Sequence, residues 1–306
     1  MKERILHIFR KIFKKKEVPF IYKRKGNEKV LFGVVAAIFI VYSIVLLYPL
    51  LFLIMNSFKD AAEYAIDMAL KKSYELPDKA MWRNYIEAFQ KIKYKDYTLL
   101  TMFWNSTWQI GLGLIITLPL NCGIGYIMAK YNNKFVDFVF AVVVTSMVIN
   151  LGGSTSAFLK LIQKLGLYDK WQFILFTSFG FGNWLYFRSL YVNVASDYME
   201  AAFLDGAGHF RVFFSIMMPM GKNLMGIFGV LGFIASWSDY MGPLMYTPSY
   251  PTVASGMHLV GNTLNRTGDR PMYFAAQVLS MIPVVTLFLL FSEKIMTGLS
   301  FGGLKG

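Results

Sequence analysis

The sequence predicts an all-α protein that crosses a lipid bilayer several times, and three observations carry that reading. Of its 306 residues, 56% are hydrophobic and only 16% charged, against roughly a quarter charged in a soluble domain. Six stretches are long and apolar enough to span a hydrocarbon core of ~30 Å as helix. The basic residues are densest beside the first of these stretches rather than spread over a surface. Disorder requires low hydrophobicity and is excluded. The lone Cys122 provides no disulfide framework, and it reads as a small buried apolar side chain.

The chain opens on a basic segment, residues 1–29, in which eleven Lys and Arg face three Glu. Such a block directly before an apolar run reads as a cytoplasmic anchor at an anionic membrane face, not as a nucleic-acid site. Ile5, Phe9 and Ile12, with Leu6 and Phe13, share one side of a helix, so the segment can lie in the interface. The predicted spans are 30–55, 99–129, 135–158, 171–187, 221–241 and 272–291. The first has no charge and is far longer than the ~7–15-residue apolar core of a cleaved signal peptide. Placing the N-terminus inside leaves 18 basic residues on the inner segments and 13 on the outer ones. Both termini are therefore expected in the cytoplasm of a multi-pass cell-membrane protein. The domain reading follows: a cytoplasmic segment 1–29, a transmembrane domain 30–297 with an outer cap loop 56–98, and a cytoplasmic tail 298–306. Within the cap, residues 82–89 read as a short amphipathic helix.

Glycines at 226, 229 and 232, and at 111, 113, 123 and 125, open helix faces to close approach. They are not nucleotide-binding glycines, because no strand–turn–helix context surrounds them. Gly221-Lys222 lacks the upstream glycine of a P-loop, and His7, His209 and His258 have no zinc-ligand spacing. No catalytic or metal-ligating residue is predicted, and the chain is not read as an enzyme.

The segment 196–219 is the most informative. Asp197 can cap a helix with Glu200 in capping-box position, Tyr198, Ala201 and Ala202 give a small apolar face, and Asp205-Gly206 marks a sharp turn. A second helical stretch from Ala207 leads back into the membrane. The expected unit is helix, tight turn, helix, lying along the cytoplasmic face. From composition alone it is an ordinary connector.

The spacing Glu200-Ala201-Ala202, three residues, Gly206, nine residues, Ile216, one residue, Met218-Pro219 resembles the EAA signature of ABC-importer permeases. Met218 stands where that pattern usually has leucine. The tail Gly298-Leu299-Ser300-Phe301-Gly302-Gly303-Leu304-Lys305-Gly306 resembles the glycine-rich end of maltose-type (MalG-like) carbohydrate permeases, with Phe301 replacing the usual small residue. Trp104-Asn105-Ser106 is similar to that family as well. The resemblance runs from about residue 30 to the end.

It implies a type I ABC importer permease fold with six transmembrane helices. It also implies a membrane-spanning subunit of an ATP-driven sugar or oligosaccharide importer, which forms half of the translocation pathway. The implied partners are a second homologous permease, two cytoplasmic ATPase subunits that bind ATP and Mg, and an extracytoplasmic sugar-binding protein. No nucleic acid is implied, and no cofactor on this chain. Glu200, Ala201, Ala202, Asp205, Gly206, Arg211 and Pro219 would couple to an ATPase. Gly302, Gly303 and Lys305 would reach toward the ATPase dimer. The loop 242–270, with Tyr246, Tyr250 and His258, would probe the binding protein. Asn105, Gln109, Asn121, Asn150, Asp239 and Gln277 are polar candidates for the substrate path, although intramembrane amides serve equally as helix–helix hydrogen-bond partners. The rival class is an ion-gradient-driven secondary transporter, which calls for repeated broken helices and mid-membrane ionisable groups. The ionisable residues here sit at span ends.

Overall fold

The computed structural model describes residues 26–131, 133–148, 154–178, 182–264 and 269–299. The basic segment 1–25, Asn150 and the tail residues Gly302, Gly303 and Lys305 lie outside the described residues. Helices account for nearly all of the regular structure, with one two-stranded hairpin. The chain divides at Phe52 into two units.

The first unit contributes most of helix α1, Gly26–Ser57. Its residues from Val30 to Leu47 are exposed and apolar almost throughout. A helix that is hydrophobic on every side calls for a lipid environment.

In the second unit the expected cap is a folded piece. Helix α2, Ala61–Ala69, starts on a capping box in which Asp60 accepts from backbone N–H groups and Glu63 reaches back to the cap. That D-x-x-E signature stands in the sequence, yet the sequence reading placed only a short helix at 82–89, observed as α3, Arg83–Lys91. The fully buried Lys59 ammonium meets the Asp67 carboxylate at 2.6 Å. Asn84 donates to the carbonyls of Ser57 and Lys59, both at 2.9 Å. The hairpin β1, Lys93–Tyr94, and β2, Tyr97–Thr98, closes the cap and leads directly into the next helix.

That helix is α4, Leu99–Lys130, 32 residues with Thr98 as its N-cap. At 1.5 Å per residue it is about 48 Å long, and it is the hub of the second unit. Along it pack α7, Gln172–Ser178, α8, Trp184–Val192, α12, Lys222–Ser238, and α14, Val253–Leu264. Its first half belongs to an apolar cluster with Trp237, Val253, Met257 and Met272. Its last third belongs to a second cluster with Phe187, Tyr191, Met199, Val212, Met217 and Phe228. Cys122 is buried there as expected, and its Sγ also meets the Tyr191 hydroxyl at 3.0 Å.

Small residues set this packing at some positions and not at others. A Cβ on Gly125 would lie 2.5 Å from Phe187 Cβ and 2.8 Å from Arg188 N, so α4 and α8 approach there backbone to backbone. Gly232 faces Leu114 and Gly229 faces Leu118, whereas Gly226 and Gly111 have open space.

Among the described residues, three helices are long and apolar enough to cross a membrane: Val30–Ser57, Leu99–Lys130 and Arg270–Glu293 of α15, Arg270–Leu299. A fourth is counted if His209–Met220 and Lys222–Ser238 form one span bent by 70°. Of the third and fourth expected spans, the described residues show α5, Lys134–Val148, with α6, Ser154–Lys164, and α7 with α8; residues 149–153 and 179–181 lie outside them.

Candidate coupling site

The segment 196–219 forms beside the C-terminal end of α4, the end opposite the cap. Helix α9, Asp197–Leu204, begins one residue earlier than the sequence reading places it. Ser196, not Asp197, is the boundary residue, and its carbonyl accepts from Met199 N at 2.9 Å and Glu200 N at 3.1 Å. Ser196 is in the right-handed helical region and makes no side-chain cap bond. A capping side chain needs an extended backbone to face the free N–H groups, so the expected Asp197–Glu200 capping box does not form. Both carboxylates still sit in the first turn, where the helix dipole favours negative charge.

The C-terminal end of α9 matches the expectation. Gly206 has φ +79°. Ala207 N donates to Ala202 O at 2.9 Å and Gly206 N to Phe203 O at 3.0 Å, the paired bonds of a Schellman turn. The chain re-enters helix at α10, His209–Val212, passes through a π-helical turn, Phe213–Met217, and finishes in α11, Met218–Met220. Pro219 explains the π turn: it has no N–H to give Ser215, and its ring crowds that carbonyl.

Glu200, Ala201, Asp205, Gly206, Arg211 and Pro219 are exposed, Ala202 is half-buried, and Met199 anchors the helix in the core beneath. Leu204 and Phe210 are 89% and 82% exposed, so the turn carries bare apolar side chains beside its acids and Arg211. Arg188 Nε donates to Met128 O at 3.2 Å and Lys130 Nζ to Val194 O, tying α8 and the start of the loop to α4. On the far side of the turn, the Tyr131 hydroxyl and His209 Nδ1 share a hydrogen bond of 2.6 Å. Neither Tyr131 nor a role for His209 was foreseen; the available signal was an aromatic pair, Tyr126 and Tyr131, at the end of a long apolar helix.

At the other end of α4, the expected loop 242–270 is largely helical, as α13, Met241–Tyr246, and α14. Between them the chain is held from several sides. Asn105 Nδ2 donates to Pro251 O at 3.1 Å, Gln109 Nε2 to Tyr250 O at 3.0 Å, and Val253 N to Ser106 Oγ at 2.8 Å. Asp169 accepts from the Ser249 N–H at 2.7 Å and from its hydroxyl at 2.6 Å. Tyr250 lies edge-on to Trp108, Tyr246 packs on Phe158 and Phe173, and His258 stacks on Tyr240. Thus Asn105, Gln109, Tyr246, Tyr250 and His258 gather toward the N-terminal end of α4 in the second unit. Asn121 is further along α4 and accepts from Asn183 N at 3.1 Å. Asp239 accepts from Met241 N and Gly242 N, both at 3.0 Å, at the start of α13. Gln277 lies on α15, one turn after Tyr273, whose hydroxyl donates to Met257 O at 3.0 Å.

Residues 121–257, which run from the last third of α4 into the start of α14, match the family described as binding-protein-dependent transport system inner membrane component. The chain is similar to that family over this segment. Full-length relatives agree. The chain is 24% identical over 271 residues to the diacetylchitobiose uptake system permease protein NgcG of Streptomyces coelicolor, covering 87% of this chain and 86% of that protein. It is 26% identical over 274 residues to the maltodextrin transport system permease protein MdxG of Bacillus subtilis, covering 86% and 92%. It is 27% identical over 281 residues to the arabinooligosaccharides transport system permease protein AraQ of Bacillus subtilis, covering 88% and 94%. The fold matches a chain of a bacterial ABC transporter involved in alginate import, with TM-score 0.71, 19% identity, and coverage of 90% of this chain and 99% of that one. The chain is thus similar, over most of its length, to permease proteins of carbohydrate ABC transport systems, and its fold to that of an ABC importer chain.

Proposed function

We propose that this permease supplies six spans and half of the translocation pathway of a sugar or oligosaccharide importer, and that 196–219 is its coupling loop. The cargo class rests on relatives whose names specify diacetylchitobiose, maltodextrin and arabinooligosaccharide transport. The segments 135–158 and 171–187 each count as one span in this reading, and 221–241 supplies the fifth. Residues 30–297 form the membrane domain, 1–29 a basic cytoplasmic segment and 298–306 a cytoplasmic tail, with Gly302, Gly303 and Lys305 toward the ATPase dimer. A second homologous permease completes the channel, two ATPases bind ATP and Mg, and an extracytoplasmic binding protein delivers the sugar near 241–264.

A single observation carries the coupling role. The EAA spacing folds into a short helix closed by a Schellman turn at Gly206, with Leu204 and Phe210 bare beside it. Exposed apolar side chains on a rigid turn suit a groove on another protein. Two elements anchored to α4 flank that turn, so pressure on it reaches the core of the second unit. ATP-driven closure of the ATPases would move α9 and α10 as one piece and shift the pathway between inward-facing and outward-facing states. Asn105, Gln109, Asn150, Asp239 and Gln277 remain the polar candidates for the pathway; the first two spend donors on the 250–251 carbonyls and act there as braces.

Uptake into proteoliposomes separates this reading from a secondary transporter. Sugar accumulation should require ATP on the ATPase side and binding protein outside, and should persist when ion gradients are collapsed. Accumulation driven by an ion gradient without ATP would replace the importer reading.

A further inference from the structure

We infer that Tyr131 and His209 are positioning residues, and that their hydrogen bond carries motion of the coupling loop into α4. The inference rests on the reading of 196–219 as the coupling loop and adds the link by which that loop moves the membrane domain. An unbroken chain of side chains runs from one to the other. Phe203, on α9, meets the edge of the His209 ring with centroids 4.9 Å apart. His209 shares its 2.6 Å hydrogen bond with Tyr131, the residue that caps α4. Tyr131 stands perpendicular to Tyr126 at 5.6 Å, and Tyr126 stacks on Phe213 of the π turn at 5.6 Å.

The other ties are placed differently. Lys130–Val194 and Arg188–Met128 join α4 to elements before the coupling helix. Tyr191, on α8, donates to Met217 O at 2.8 Å, deep in the second cluster at the last residue of the π turn. Among the described residues, Tyr131–His209 is the side-chain hydrogen bond that joins the two coupling helices' shared turn directly to α4. A hydrogen bond between aromatic rings is directional, so a shift of α10 along its axis pulls the end of α4 rather than sliding past it. Contiguous packing alone does not establish energetic coupling, so the test reads coupling itself.

The assembled complex in proteoliposomes would be assayed for sugar moved per ATP hydrolysed. Tyr131→Phe removes one oxygen and keeps the ring on Tyr126; His209→Ala removes the partner. Each should lower the ratio roughly fivefold, about what one net hydrogen bond is worth as a ratio, while ATP hydrolysis continues. The double variant should be no worse than either single one. His209→Asn, whose amide reaches the place of Nδ1, should restore most of the ratio. Gly206→Val serves as the control for the coupling loop. If it uncouples while Tyr131→Phe and His209→Ala do not, the Tyr131–His209 link is refuted and the coupling loop stands. If none of them uncouples, both readings fall. Loss of complex assembly in Tyr131→Phe would likewise overturn the inference, because the bond would then be a folding contact.

Discussion

Gly206 and Gly125 are indispensable for different reasons. Gly206 holds φ +79° with nothing within 4 Å of a would-be Cβ, so the constraint is conformational and not steric. A β-branched residue there would strain the turn by about 1–2 kcal/mol. Gly206→Val should therefore leave membrane insertion intact while ATP hydrolysis proceeds with little uptake; normal uptake per ATP in that variant would remove the turn from coupling. Gly125 is limited by space instead, with Phe187 Cβ and Arg188 N inside 3 Å of the missing Cβ. Gly125→Ala should overpack the α4–α8 contact by about 1–3 kcal/mol, and a fall of several degrees in the Tm of the detergent-purified complex would register it. Asp197 illustrates the reverse case. Since Ser196 marks the helix start and no cap bond forms, Asp197→Ala should cost only about 0.3–1 kcal/mol through the helix dipole. A loss near 2 kcal/mol in thermal melts would mean that Asp197 does cap. The sequence marks Asp205-Gly206 as a turn because glycine's tolerance of positive φ is local. It misplaces the cap because backbone geometry at Ser196 depends on how α8 hands the chain into the loop.

Among the elements, those ruled by lipid and by periodicity were legible, and those ruled by tertiary bonds were not. The long apolar helices α1, α4 and α15 read directly from uncharged runs. The amphipathic α3 was also visible, but α2 escaped notice even though Asp60 and Glu63 spell its capping box. The segment after Asp239 reads as a loop because Pro243, Pro248 and Pro251 punctuate it, yet α13 and α14 form there. Their order depends on Asn105, Ser106, Gln109 and Asp169, which lie some 80 to 150 residues away in sequence. Likewise, Asn105 and Gln109 were visible as polar groups in an apolar run, but not as braces on Pro251 and Tyr250. Asp169 is the most testable brace, because it holds Ser249 through both its N–H and its hydroxyl. Asp169→Ala should raise the hydrogen-exchange rate of the Ser249 amide about tenfold, as expected for loss of a charge-assisted bond at an exposed site. An unchanged rate would show that Asn105, Gln109 and Tyr97, whose hydroxyl donates to Ser249 O at 2.7 Å, hold the segment without it.

For the whole molecule, the second unit is arranged around α4, with the cap and the 241–264 segment at one end and the turn at Gly206 near the other. The hub's two apolar clusters make it a stiff connection, since packed interiors deform little. The hub itself was foreseen as a span, while its bracing was foreseen only as glycine-opened faces at 111, 113, 123, 125, 226, 229 and 232, of which 125 meets α8, 229 and 232 meet α4, and 111 and 226 have open space. In the proposed importer the ATPases supply the energy, so the action of this chain is read through its partners. The most direct measurement is the ATPase activity of the co-purified complex with binding protein alone, sugar alone, and both together. Stimulation that needs both is the predicted result. A complex that carries no ATPase, or one whose activity ignores sugar-loaded binding protein, would contradict the account.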